Sequence, residues 1–151
     1  MGDIGQHTIA RMRALGMQVE AYDPSVDGEA GFDGLERTVW PEAVEDLDFL
    51  VFTCALNQHN HRMLDADVLA RCKKGVRVVN VARGPLIDEA ALVAALQSGH
   101  VFSAALDVFE IEELPADSPL REIERCIYGS NTIDGVIRAS HTTIDRLAGF
   151  F

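Results

Sequence analysis

The stretch VRVVNVARGPLIDEAALVAALQSGHVFSAALDV, residues 76–108, decides the architecture. Val76 to Val81 is a short, almost wholly apolar run, as expected of a strand buried on both faces. Asp88 to Gln97 reads as a helix closed by Gly99, and Val101 to Val108 is apolar again and reads as a second strand. Working outward toward the start, Ala66 to Cys72 is helical and Asp48 to Cys54 is a near-continuous apolar strand. Pro41 to Leu47 reads as a short helix with proline in its first turn, and Ser25 to Gly34, rich in Gly and Asp, as a loop. Met17 to Tyr22 is a short strand ending at Asp23-Pro24, preceded by a helix with Ile4, Ile9, Met12 and Leu15 on one face that stops at Gly16. On the other side, Pro115 to Arg125 is an irregular connection and Cys126 to Tyr128 a last short strand. Thr132 to Phe151 is a long helix with Ile133, Val136, Ile137, Ile144 and Leu147 on its apolar stripe. Apolar strands alternating with helices predict a parallel sheet covered on both sides, the doubly wound α/β architecture.

The 151 residues amount to about one domain, and 48% hydrophobic with 25% charged residues is the composition of a folded globular chain. The formal net charge of −11 works against any partner held through phosphates, so no nucleic-acid or anionic-membrane partner is expected. The apolar runs fall far short of the ~20 residues of a membrane helix, and the start lacks a basic-then-apolar signal pattern, so the expected location is the cytoplasm. Cys54, Cys72 and Cys126 are odd in number and never spaced Cys-x-x-Cys, which predicts reduced, mostly structural thiols. His59 and His61 alternate, but nothing nearby completes a ligand set, and no metal site is expected. His7 reads as a helix-surface residue and His100 as a post-helix turn residue.

Chemistry enters at the start of the chain. Gly2-Asp3-Ile4-Gly5 has the form of the end of Gly-x-Gly-x-x-Gly, in which backbone approaches a pyrophosphate and helix amides face its charge. Eighteen residues beyond Gly5, Asp23 stands at the end of the second strand, where a carboxylate accepts hydrogen bonds from both ribose hydroxyls and repels a 2'-phosphate. That combination predicts NAD in preference to NADP. Asn80-Val-Ala-Arg83-Gly-Pro-Leu-Ile-Asp88-Glu89, followed by Ser98-Gly99 and Ala104-Ala-Leu-Asp107-Val-Phe109, resembles the D-2-hydroxyacid dehydrogenase family, phosphoglycerate dehydrogenases included. The resemblance runs from Gly2 to the final helix. It implies a Rossmann-type NAD-binding domain over residues 1–151, with residues 132–151 returning toward a substrate domain. It also implies that the central strand of a 3-2-1-4-5-6 sheet, and the substrate domain itself, precede residue 1.

The resemblance assigns roles to individual residues. Arg83, leaving a strand at the crevice, would offer its planar fork of donors to a 2-oxo or 2-hydroxy carboxylate. Glu112 would hold and charge a catalytic histidine that protonates the substrate oxygen, while Glu110, Glu113 and Glu122 would be surface charges. Gly2, Asp3, Ile4, Gly5, Asp23, Cys54, Ala55, Val81, Ala82, Arg83 and Asp107 would line the cofactor. The implied assembly is a homodimer acting on a small D-2-hydroxy acid. One departure matters: where the family reads Gly-Ser-His-Asn-x-Ser-Asn-Thr, this sequence joins Gly129-Ser130 directly to Asn131-Thr132. Asn131 cannot titrate near neutral pH, and His141 lies ten residues on in the expected helix. Two explanations stand, a true deletion in a catalytically inactive, NAD(H)-sensing protein, or an active-site loop missing from the sequence as given. The second is the one expected, because loops that close over ligands are drawn from the mobile end of a structure.

Overall fold

The computed structural model describes residues 2–24 and 38–129. Helix α1 (Asp3–Ala14) is followed by β1 (Phe49–Phe52), α2 (Ala66–Arg71), β2 (Val76–Asn80), α3 (Glu89–Ser98), β3 (Val101–Leu106) and β4 (Cys126–Tyr128). Short 3-10 turns lie at Gly84–Leu86 and Pro119–Glu122. The strands form one sheet in the order β1-β2-β3-β4, and every neighbouring pair is parallel. This is the expected α/β arrangement: each strand returns to its neighbour through a crossover on the sheet's face. The expected loop at Ser25–Gly34 and the helix at Thr132–Phe151 lie outside the described residues.

Local chemistry explains where the helices begin and end. The Asp65 carboxylate accepts from Val68 N (2.9 Å) to open α2, and the Asp88 carboxylate accepts from Ala91 N (3.0 Å) to open α3. Helix α3 closes on Gly99, whose φ of 74° lies in the left-handed region that a residue with a Cβ adopts only under strain. The core is the seam between the sheet and the covering helices. Leu50 and Phe52 of β1, Val76 and Val78 of β2, Val101, Ala104 and Leu106 of β3 and Leu92 and Leu96 of α3 are all buried there.

Two expectations are corrected. Met17 to Tyr22 is not a strand: only Ala21 makes a bridge, with its carbonyl accepting from Thr38 N (3.2 Å). A strand exists through its ladder, and no described strand runs alongside this segment to supply one. Pro41 to Leu47 forms successive turns instead of a helix: the six-residue α2 is opened by the Asp65 carboxylate, whereas Trp40, before Pro41, has no side-chain acceptor to cap a first turn. Its Val44 is nevertheless 2% exposed and anchors the turns in the core. On the strands, Phe49, Val51, Phe102 and Ile127 are exposed, and the Arg77 guanidinium lies 5.3 Å from the Phe49 ring and 4.7 Å from the Phe102 ring.

Candidate functional site

The carboxyl ends of β2 and β3 carry the residues singled out from the sequence. At the end of β2, Asn80 is buried to 1% exposure and holds the turn that follows it. Its Nδ2 donates to the Arg83 carbonyl (2.9 Å) and its Oδ1 accepts from Ala82 N (3.1 Å). Its carbonyl accepts from Asp107 N (2.9 Å), tying the turn to the end of β3. No role follows for Asn80 from the sequence reading. The available signal was an amide at an inward-facing position of an apolar strand, where a polar group must be satisfied locally.

Next in the chain, Gly84 lies directly on the loop after β3. A Cβ placed on Gly84 would be 1.8 Å from the Phe109 carbonyl oxygen, so only glycine allows the two backbones to meet. This contact brings the segment of Arg83 beside the segment of Glu112. Arg83 is exposed, and its Nη1 donates to the Ala82 carbonyl (2.6 Å). Glu112 is exposed too, and its Oε1 accepts from Phe109 N (3.2 Å). Between them, Asp107 has its carboxyl pushed above the usual carboxylate range, first by burial and then by the charge of Glu112. Val81 is exposed and Ala82 buried.

The other expected cofactor residues lie at β1 and α1. Cys54 and Ala55 follow β1, where Asn60 Nδ2 donates to the Ala55 carbonyl (2.8 Å) and contacts Cys54 Sγ at 3.8 Å. Although Cys54 is exposed as a residue, burial of its sulfur pushes the thiol up. The charge of Asp23 adds to that rise. Gly2 is the N-cap of the twelve-residue α1, and its carbonyl accepts from Gln6 N (3.1 Å). The amides of Asp3, Ile4 and Gly5 belong to the first turn, which has no intrahelical acceptors. A Cβ on Gly2 would meet nothing within 4 Å, so this helix end is open, and its donors and positive dipole suit a pyrophosphate. The open helix end and a carboxylate at Asp23 fit a nicotinamide dinucleotide.

Glu110, expected to be a plain surface charge, is corrected: its side chain is only 21% exposed and pairs with Arg62 at 2.9 Å. Glu113 and Glu122 are exposed, as expected. His59 and His61 are exposed, and no group of three metal-ligating side chains occurs among the described residues. His7 is exposed on α1, and His100 precedes β3 with a buried Nε2 that finds no hydrogen-bond partner in the described structure. Among the described residues no helix is long and apolar enough to cross a membrane. The Ser130–Asn131 junction lies outside the described residues.

A parallel sheet with an open helix end and an arginine-bearing turn at its carboxyl edge is the arrangement of a dinucleotide-binding α/β domain. Residues 1–130 match the family described as D-isomer specific 2-hydroxyacid dehydrogenase, NAD binding domain, and the chain belongs to that family. The D-3-phosphoglycerate dehydrogenase of Bacillus subtilis (strain 168) is 42% identical over 121 residues, which cover 80% of this chain and 23% of the relative. The NAD-dependent formate dehydrogenase from Staphylococcus aureus, solved in complex with NAD, has a TM-score of 0.79 at 30% identity, over 99% of this chain and 46% of that one. A D-isomer specific 2-hydroxyacid dehydrogenase from Xanthobacter autotrophicus Py2, solved with NADPH and MES, has a TM-score of 0.77 at 33% identity, over 84% of this chain and 41% of that one. The chain thus spans about a quarter of the length of the curated relative it matches.

Proposed function

We propose that the protein carrying this chain transfers a hydride between NAD(H) and a small D-2-hydroxy acid or its 2-oxo counterpart. The observation that carries the reading is the contact of Gly84 with Phe109, which brings the turn of Arg83 against the loop that leads to Glu112 at the carboxyl edge of a parallel sheet. Bound nicotinamide supplies or accepts the hydride. Arg83 holds the substrate carboxylate with two parallel hydrogen bonds and so aims its reacting carbon. Asp23 accepts from the ribose hydroxyls and disfavours a 2'-phosphate, and the first turn of α1, from Gly2 to Gly5, faces the pyrophosphate. Cys54, Ala55, Val81, Ala82 and Asp107 complete the cofactor wall. Glu112 orients and charges an imidazole that moves a proton to or from the substrate oxygen. The protein works as a cytoplasmic homodimer and has no nucleic-acid partner; closed two-fold pairs are the commonest assembly, and the acidic net charge opposes phosphate contacts.

A second reading, a protein of the same fold that senses NAD(H) without turnover, is favoured by the direct Ser130–Asn131 junction alone. Sequencing the gene across those two codons separates the two: an intervening His-Asn supports the enzyme, and a contiguous Ser-Asn the sensor. The direct test of the enzyme is Arg83→Lys in the complete gene product, assayed by steady-state kinetics on 2-oxo acids alongside NADH titration. Lysine supplies charge at a single point, so kcat/KM should fall at least ~100-fold, about 2.7 kcal/mol, with NADH affinity little changed. Near-normal turnover, or an equal collapse of NADH binding, would show that Arg83 has another role.

A further inference from the structure

Arg62 has no part in the cofactor or substrate contacts above, yet all four of its nitrogens reach the two loops that do. Its backbone N donates to the Pro85 carbonyl (2.7 Å) in the turn after Arg83. In its side chain, Nη1 lies 3.3 Å from Asp88 Oδ2, while Nε and Nη2 both reach Glu110 Oε1 at 2.9 Å. Asp88 opens α3 immediately after the Arg83 turn, and Glu110 stands two residues before Glu112. One guanidinium therefore bridges the two catalytic segments. The Asp88 and Glu110 side chains are only 23% and 21% exposed, so without Arg62 two partly desolvated carboxylates would be left without their shared counter-ion. Arg62 also holds φ at 50°, a left-handed conformation that a side-chain-bearing residue adopts only when its surroundings impose it. The parallel bridge of Leu64 with Ile87 keeps this segment beside the Arg83 turn.

We propose that Arg62 is a positioning residue, bridging Asp88 and Glu110 so that the Arg83 turn and the Glu112 loop keep the separation catalysis needs. Its catalytic consequence rests on the dehydrogenase reading above; the clamp itself does not. Two amides report the clamp directly: Phe109 N, held by Glu112 Oε1, and Glu110 N, held by Glu89 Oε2 at 3.1 Å. In the complete gene product, Arg62→Ala should speed hydrogen exchange at these two amides at least ~10-fold. It should lower kcat about 10-fold while the KM for NADH changes less than about twofold. Arg62→Gly removes the same guanidinium but relieves the left-handed strain, so it should retain the fold and show the same loss of kcat. Glu110→Gln should reproduce most of the loss, and the Arg62→Ala, Glu110→Gln double variant should be little worse than either single one. Unchanged exchange at Phe109 and Glu110, additive losses in the double variant, or faster exchange with unchanged kcat would each overturn the proposal. If the unmutated protein turns over no 2-oxo acid, the dehydrogenase reading fails, and amide exchange alone decides whether the clamp exists.

Discussion

Adding one methyl group at Gly84 tests whether the catalytic crest depends on backbone contact. In Gly84→Ala the new Cβ would stand 1.8 Å from the Phe109 oxygen, 1.9 Å from its carbonyl carbon and 2.5 Å from Glu110 N. A carbon normally sits no closer than ~3.3 Å to a carbonyl oxygen, so the two segments must part by about 1.5 Å. All three obstructing atoms are backbone, with no flexible side chain to swing aside. The cost should therefore be at the upper end for overpacking, about 2–4 kcal/mol of stability. Arg83 moves with one segment and Glu112 with the other, and a misplacement of ~1 Å can lower a rate by about 100-fold. Gly99→Ala is the control. It meets nothing within 4 Å and carries only the strain of its φ of 74°, so it should cost roughly 1 kcal/mol and leave kcat untouched. Urea unfolding gives the stabilities and steady-state assay of the complete gene product gives kcat/KM. If Gly84→Ala stays within about 0.5 kcal/mol and about threefold of the unmutated protein, the contact is not what positions the Arg83 turn against the Glu112 loop.

Three further outcomes are expected. Asp23→Ala should narrow the preference for NADH over NADPH by more than it lowers stability, and equal use of both cofactors by the unmutated protein would remove Asp23 from the ribose. The folded state raises the Asp107 carboxyl above its ordinary value near 4, so the folded form binds that proton more tightly than the unfolded chain. Stability is therefore lost as pH rises through the window above that value. Asp107→Asn should be more stable than the unmutated protein at pH 7, with the advantage vanishing in denaturation curves below about pH 4; an equal difference at both pH values would contradict this. For the thiols, Cys72 is 4% exposed, donates to the Val68 carbonyl (3.3 Å) and is pushed up to about 11 by burial. Alkylation near pH 8, followed by mass spectrometry, should mark the exposed Cys54 well before Cys72, and NADH should slow the reaction at Cys54. Early labelling of Cys72 would mean the core opens there.

What the sequence determined by itself is the local alternation. The run from residue 76 to 108 contains a strand, a capped helix ending at Gly99 and a second strand, and each forms within a residue or two of its expected bounds. Periodicity and caps are set by residues within about four positions of one another, so they are visible in the text of the chain. The resemblance carried by Asn80 to Glu89, Ser98-Gly99 and Ala104 to Phe109 likewise sufficed to place the family. Segments whose form depends on more than their own pattern differ from it: Met17 to Tyr22 has strand chemistry but no ladder partner among the described residues, and Pro41 to Leu47 follows Trp40, which offers no acceptor to cap a helix. Tertiary structure alone decided which loops touch. That Asn80 fastens the Arg83 turn, that Gly84 lies on Phe109, and that Arg62 pairs with Glu110 across 48 positions all follow from how loops cross the end of the sheet. Such contacts join residues far apart in the chain, and their distances are set by strand register and the path of the backbone, which no local pattern encodes.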